Sequence, residues 1–220
     1  MLVRLYRAGD REAVHRLAAD TAFFGAPVEA FLPDRQLFND LFTAYYTDRE
    51  PEHLWVADVD GQVAGYFAGS LGGSRLTSRR LRSGARAAGG LASRRCRELG
   101  GTLQFLARLA AASARGEYPS PSLDAYPTHL HINVDETFRG QGVGGRLMRA
   151  GLAGMAAAGA TGICLHTTSY SAAAVAMYEK LGFKLLGSRV TRLWEPWLPG
   201  VKIENLVLGK LLGEEEPART

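Results

Sequence analysis

Cysteine is nearly absent. Cys96 and Cys164 are the only two in 220 residues, they stand 68 positions apart, and neither has a second ligand at metal-site spacing. That excludes a disulfide scaffold and a zinc-ribbon or zinc-finger fold, so no metal is expected. Free thiols and a cytoplasmic compartment are the expectation. Lysine is scarce as well, 4 against 22 arginines; with alanine and glycine abundant, this reads as base composition before it reads as function. No apolar run reaches the roughly 20 residues a membrane helix needs, so no membrane span is expected. The opening Met-Leu-Val-Arg-Leu-Tyr-Arg has no apolar leader core, which argues against secretion. Acidic residues are missing from Gly61 to Arg97, where eight arginines fall, while the rest of the chain is net acidic. The formal charge of +4 is therefore one local feature. The stretch reads first as a solvated surface, next as a contact for nucleic acid or an anionic membrane, and third as a lid. Its lack of interleaved aromatics counts against single-strand nucleic-acid binding.

What is present suits one domain over residues 1–220 with an insert at about 71–117. Alternation predicts strands at Leu2–Arg7, His53–Asp58, Val63–Ser70, Thr128–Val134, Gly162–Thr167, Phe183–Val190 and Lys202–Leu208. Helical spacing predicts helices from Asp10, N-capped by that aspartate, to Thr21, over Asp34–Tyr46, Thr102–Ala114, Val143–Ala158 and Ser171–Leu181. Asp60-Gly61 supplies the hairpin turn between the second and third strands.

The sharpest signal follows the strand at Thr128. Arg139-Gly140-Gln141-Gly142-Val143-Gly144-Gly145 links that strand to a helix. Glycines there let successive N–H groups face one anion at the positive end of the helix dipole, an arrangement suited to a phosphate or pyrophosphate. A Walker loop would need Lys-Ser/Thr after the last glycine, and Arg146-Leu147 stands there. A dinucleotide fingerprint fits the spacing of Gly140, Gly142 and Gly145, but no acid lies between Glu136 and Glu179. Arg139, Gly142 and Gly144 match the Arg/Gln-x-x-Gly-x-Gly/Ala pattern of the GCN5-related N-acetyltransferase (GNAT) superfamily. Ala174-Val175-Ala176-Met177-Tyr178-Glu179-Lys180-Leu181-Gly182-Phe183 resembles the second signature of that superfamily. Tyr45-Tyr46-Thr47-Asp48, Val63-Ala64-Gly65-Tyr66 and Tyr126–Ile132 resemble bacterial acetyltransferases related to the acetyltransferase-like domain of O-GlcNAcase.

The resemblance implies a mixed α/β fold. Its centre is a mostly antiparallel sheet of six or seven strands, splayed at the fourth and fifth, with helices on both faces and a helical, arginine-rich insert. It implies acetyl-CoA as co-substrate and direct transfer of acetyl to an amine of a small molecule or a protein. The coenzyme would contact Ile132, Asn133, Val134, Arg139, Gly140, Gln141, Gly142, Val143, Gly144, Gly145, Ser171 and Tyr178. Ser171 stands where the family often has asparagine, and it reads equally as the N-cap of its helix. Tyr178 would be the general acid toward the departing thiolate.

His131 is the candidate base and His129 its alternative, because imidazole titrates near neutral pH. Both share one strand face with Asn133, and the face that meets the acceptor depends on whether the strand is bulged. Phe23, Phe24, Phe31, Phe38, Tyr45, Trp194 and Trp197 are candidates for the acceptor wall, the loop residues Phe23, Phe24, Trp194 and Trp197 foremost. A monomer or homodimer is expected. A coenzyme-binding pseudo-acetyltransferase without turnover and a nucleic-acid-binding regulator using the basic insert are the alternatives.

Overall fold

A computed structural model describes residues 1–72 and 99–213. The stretch Arg75–Arg97 and the readings attached to it lie outside those residues. The chain opens with β1 (Leu2–Leu5) and α1 (Arg11–Asp20). The single helix expected over Asp34–Tyr46 is two, α2 (Arg35–Phe42) and α3 (Ala44–Arg49). The break is at Thr43, whose buried hydroxyl has no hydrogen-bond partner among the described residues. Next come β2 (Leu54–Val59) and β3 (Gln62–Ser70), joined by a turn with Asp60 at φ 52° and Gly61 at φ 84°. Both corner residues are left-handed, as a tight two-residue hairpin requires. The described residues resume with α4 (Leu99–Ala114), within the stretch expected to be an insert. The remainder is β4 (Thr128–Val134), α5 (Val143–Ala157), β5 (Gly162–Thr168), α6 (Ala172–Lys180), β6 (Lys184–Thr191) and β7 (Ile203–Leu211).

Asp10 does not cap α1 with its side chain. Its carboxylate instead takes two hydrogen bonds from Arg4, at 2.7 and 2.9 Å, and one from the Arg7 N–H. Arg4 also reaches Asp58 on β2, so one guanidinium ties β1 to the start of α1 and to the β2–β3 hairpin. A charged bidentate partner outcompetes a backbone N–H here, and it holds the Asp10 carboxyl below its ordinary range.

The strands form one sheet in the order β1-β2-β3-β4-β5-β7-β6. Every neighbouring pair is antiparallel except β4 and β5. Period-two alternation divides the side chains between two cores. Val56, Tyr66 and Ala68 face α1, α2, α3 and α4, with Val14, Leu17, Leu37, Tyr46 and Phe105. Ala57, Phe67, Leu130, Ile163 and Leu165 face α5 and α6, with Leu147, Met148, Met155 and Tyr178. α5 lies hard against the sheet because it carries glycine at the contact. A Cβ on Gly151 would strike the Phe67 ring, and one on Gly154 the Trp55 ring.

The end of the insert is tied to the far side of the sheet by Glu117, which is 6% exposed. Its carboxylate accepts from Arg115 Nε at 2.5 Å, Thr191 Oγ1 at 2.8 Å and the Arg192 N–H at 3.0 Å. Its carbonyl accepts from Asn205 Nδ2 on β7 at 2.9 Å. Burial alone would push this carboxyl up; the Arg115, Thr191 and Arg192 donors outweigh it and hold the group below its ordinary value. A carboxyl depressed in the folded state contributes stability above its unfolded pKa, about 4.3, and that contribution fades as pH falls through the folded value. Glu117→Ala, which leaves the Thr191 and Arg192 donors unpaired, is expected to cost about 1–3 kcal/mol at pH 7 in urea denaturation. The gap from the parent protein should narrow as the pH drops below about 4.

Candidate active site

The site begins with a failure of strand pairing. β4 and β5 pair only at Thr128↔Ile163 and His129↔Cys164. Below that vertex, Thr128 Oγ1 donates to the Gly162 carbonyl at 2.8 Å and Cys164 Sγ to the Thr128 carbonyl at 3.4 Å. Burial pushes the Cys164 thiol up to about 11, so it stays neutral there. Beyond the vertex, β4 continues against β3 without a register shift as far as Val134, and β5 continues against β7 as far as Thr168. No bulge is present between β3 and β4. The Asp135 N–H donates to the Ala64 carbonyl on β3. By alternation, the backbone groups of His131 and Asn133 also turn to β3, and those of Leu130, Ile132 and Val134 turn to the gap. A cleft of about 1010 Å³ opens there, reaching from the glycine loop to Trp194.

The glycine loop forms one end of this cleft. Gly140 and Gly142 stand at φ 74° and 77°, where a side chain would be strained. Gly142 caps α5, so the N–H groups of Val143, Gly144 and Gly145 form its open first turn. A Cβ on Gly144 would press on Met177 Sδ at 3.1 Å, which keeps α5 and α6 close. Arg139, Gly140, Gly142, Val143, Gly144 and Gly145 all line the cleft, but Gln141 does not. Its amide donates instead to the Thr137 carbonyl at 2.9 Å. The Arg139 side chain crosses the cleft rim, donating from Nε to the Val134 carbonyl at 3.2 Å and from Nη2 to the Gly25 carbonyl at 3.5 Å. Arg149 and Lys180 add two cations to the lining. Sequence reading did not single them out, although Arg149 lies one helical turn past Gly145, a spacing that places both on one face.

Tyr178 enters from α6, 6% exposed, with its ring on the cleft wall. Its hydroxyl makes no hydrogen bond with a described residue, and burial pushes its pKa up, so the phenol keeps its proton. Ser171 also lines the cleft. It occupies the N-cap position of α6 without a capping side-chain hydrogen bond. The capping role expected for its hydroxyl is therefore corrected: the helix start is closed by the Ser171 carbonyl, which accepts from the Ala174 and Val175 N–H groups.

On the opposite sheet face stand His129, His131 and Asn133. His131 and Asn133 line the cleft; His129 does not. His131 Nδ1 lies 3.0 Å from the Tyr66 hydroxyl, which accepts from Asn133 Nδ2 at 3.2 Å. The imidazole lies near-parallel to the rings of Tyr46 and Tyr66, tilted 22° and 24° from them at centroid distances of 6.3 and 5.9 Å. His129 Nδ1 meets the Tyr46 hydroxyl at 3.2 Å, and its ring stacks on that of His166. His166, unnoticed in the sequence, lines the cleft and reaches the Pro119 carbonyl at 3.0 Å. Because the strands part, residues of both sheet faces meet in one cleft, Tyr178 from one and His131 from the other.

Among the aromatic candidates for the acceptor wall, Phe24 and Trp194 line the cleft. Phe31 and Phe38 are core residues, and Phe23, Tyr45 and Trp197 pack against that core. Helical periodicity and a loop position each predicted part of this division; Phe138 and Tyr170 also line the cleft and are not among the candidates.

A family model described as an acetyltransferase (GNAT) domain matches residues 105–185, the segment that holds β4, the glycine loop, α5, β5 and α6. The crystal structure of SsHAT is 29% identical, with 97% of this chain and 98% of that chain covered at a TM-score of 0.74. The ribosomal-protein-alanine N-acetyltransferase from Brucella melitensis is 15% identical, with 96% and 100% covered at a TM-score of 0.56. The yncA protein from Salmonella typhimurium, whose structure includes its cofactor acetyl-CoA, is 15% identical, with 100% and 98% covered at a TM-score of 0.59. The latter two are similar in fold alone. The parted strands and the glycine-opened helix thus lie within the segment 105–185 that matches a GNAT acetyltransferase domain, and acetyl-CoA-dependent acyl transfer is the activity this similarity supports.

Proposed function

We propose that the protein transfers acetyl from acetyl-CoA to a primary amine by direct attack, without a covalent enzyme intermediate. The observation that carries this reading is the cleft itself, which holds anion-facing N–H groups at one end and His131 and Tyr178 farther in. The coenzyme supplies an activated acyl group as a thioester. The N–H groups of Val143, Gly144 and Gly145 would grip its diphosphate, with Arg149 and Lys180 adding positive charge. The gap-facing backbone groups of Ile132 and Val134 would pair with the pantetheine amides as an added strand would. Asn133 would act at one remove, through Tyr66, and Ser171 would offer its hydroxyl to the pantetheine arm. A gap-facing N–H of β4 would take the charge that develops on the carbonyl oxygen.

Two side chains would move protons. The Tyr66 oxygen accepts from Asn133 Nδ2–H and, in the tautomer protonated at Nδ1, would accept from His131 Nδ1–H as well. That tautomer leaves His131 Nε2 as the acceptor for the amine proton. Tyr178, kept protonated by burial, would supply a hydrogen bond or a proton to the departing thiolate.

Thiol release with a panel of small amines and a lysine peptide tests the proposal. His131→Gln is expected to lower kcat about 100-fold or more, the range for loss of a general base. Tyr178→Phe should lower kcat about tenfold or more while acetyl-CoA affinity, read by calorimetry, stays within a few-fold. Tight coenzyme binding without release on any amine would mark a binding protein that has lost turnover. Separately, Tyr66→Phe removes the support behind His131. It should lower kcat about tenfold with little change in KM for the coenzyme, as expected for a positioning residue.

A further inference from the structure

The acceptor end of the cleft has a composition of its own. Phe24, Tyr170 and Trp194 bring three aromatic rings together there, with centroids 4.9 Å apart for Phe24–Tyr170 and 5.0 Å for Phe24–Trp194. Phe24 is held at φ 53°, in the left-handed region. An aromatic residue is rare there, and such strain persists only where the surroundings enforce it. The enforcement is visible. Phe23 and Ala26 exchange two backbone hydrogen bonds of 2.9 Å around the turn, and Arg139 Nη2 holds the Gly25 carbonyl. The turn thus sets the Phe24 ring between Tyr170 and Trp194.

Two polar side-chain atoms of the cleft-lining residues have no partner among the described residues. The Trp194 indole N–H and the Thr168 hydroxyl are both buried without a hydrogen bond, and both residues line the cleft. An unsatisfied buried donor is destabilising, and a bound ligand with a suitable acceptor would remove that cost. Charge narrows the choice further. The described cleft lining carries Arg139, Arg149 and Lys180 but no aspartate or glutamate, so a second ammonium on the acceptor would find no counter-charge among these residues.

We infer that Phe24, Tyr170, Trp194 and Thr168 form an acceptor subsite for a monoamine with an aromatic body and a hydrogen-bonding oxygen on it. The inference rests on the acetyltransfer reading above. The rings take the flat body, the Trp194 N–H donates to the oxygen, and the Thr168 hydroxyl serves as its second partner. The amine then points along the cleft toward His131.

The test compares kcat/KM, read by thiol release, for tyramine, phenethylamine, putrescine and a lysine peptide. Tyramine should exceed phenethylamine about tenfold, a preference worth about one hydrogen bond. Both should exceed putrescine and the peptide. Trp194→Phe and, independently, Thr168→Val should each bring the ratio of tyramine to phenethylamine toward one. Putrescine or the peptide as the best substrate would overturn the subsite while leaving acetyltransfer to amines intact. An unchanged tyramine preference in both variants would overturn it as well. No release on any of the four amines, with acetyl-CoA still bound, would overturn both the subsite and the turnover reading.

Discussion

Everything functional in this molecule depends on two strands that stop pairing. β4 is held on its outer side by β3 and β5 by β7, each over its whole length, so neither strand can bend to close the gap. The vertex at His129↔Cys164 is fixed by the hydrogen bonds of Thr128 and Cys164. What remains is a wedge whose β4 wall turns the backbone groups of Ile132 and Val134 toward the gap, the Val134 carbonyl being held by Arg139 Nε. Backbone polar groups are rarely left without partners. Here the wedge is open to solvent and to ligand, and a linear amide-bearing molecule can take the place of the missing strand.

The same wedge explains how residues from opposite sides of a sheet come to share one cleft. A continuous sheet would keep His131, packed among Tyr46 and Tyr66, apart from Tyr178, packed with Phe183. With the strands parted, both line one space. Arg139 then joins its two rims: one end touches Val134 at the end of β4 and the other the Gly25 carbonyl, beside Phe24. The glycine loop and the aromatic turn are thereby mechanically linked.

Much of this was legible in the sequence because the signals were local. The alternation of β4 and the glycines from Gly140 to Gly145 announce themselves within a few residues of each other, and the structure places them as expected. The elements that escaped notice depend on partners distant in the chain. Thr43 breaks a helix without glycine or proline, so the unbroken apolar stripe of Leu41, Phe42 and Tyr45 concealed it. Asp10 looked like a cap until Arg4 claimed its carboxylate. β7 lies between β5 and β6, an order that no local pattern encodes. His166 looked like one more strand residue, since its neighbours His129 and Pro119 are 37 and 47 positions away. Gln141 sits inside the glycine motif yet turns to Thr137, because motif membership fixes the backbone and not the side chain.

The central claim is that the parted strands receive the coenzyme as a missing strand. Residue-resolved amide hydrogen exchange, followed by NMR while acetyl-CoA is added, addresses it most directly. The account predicts that exchange slows at the gap-facing Ile132 and Val134 amides and in the first turn of α5, while the Asn133 amide, already paired with β3, changes little. Saturable binding with the Ile132 and Val134 amides exchanging as fast as before would contradict it.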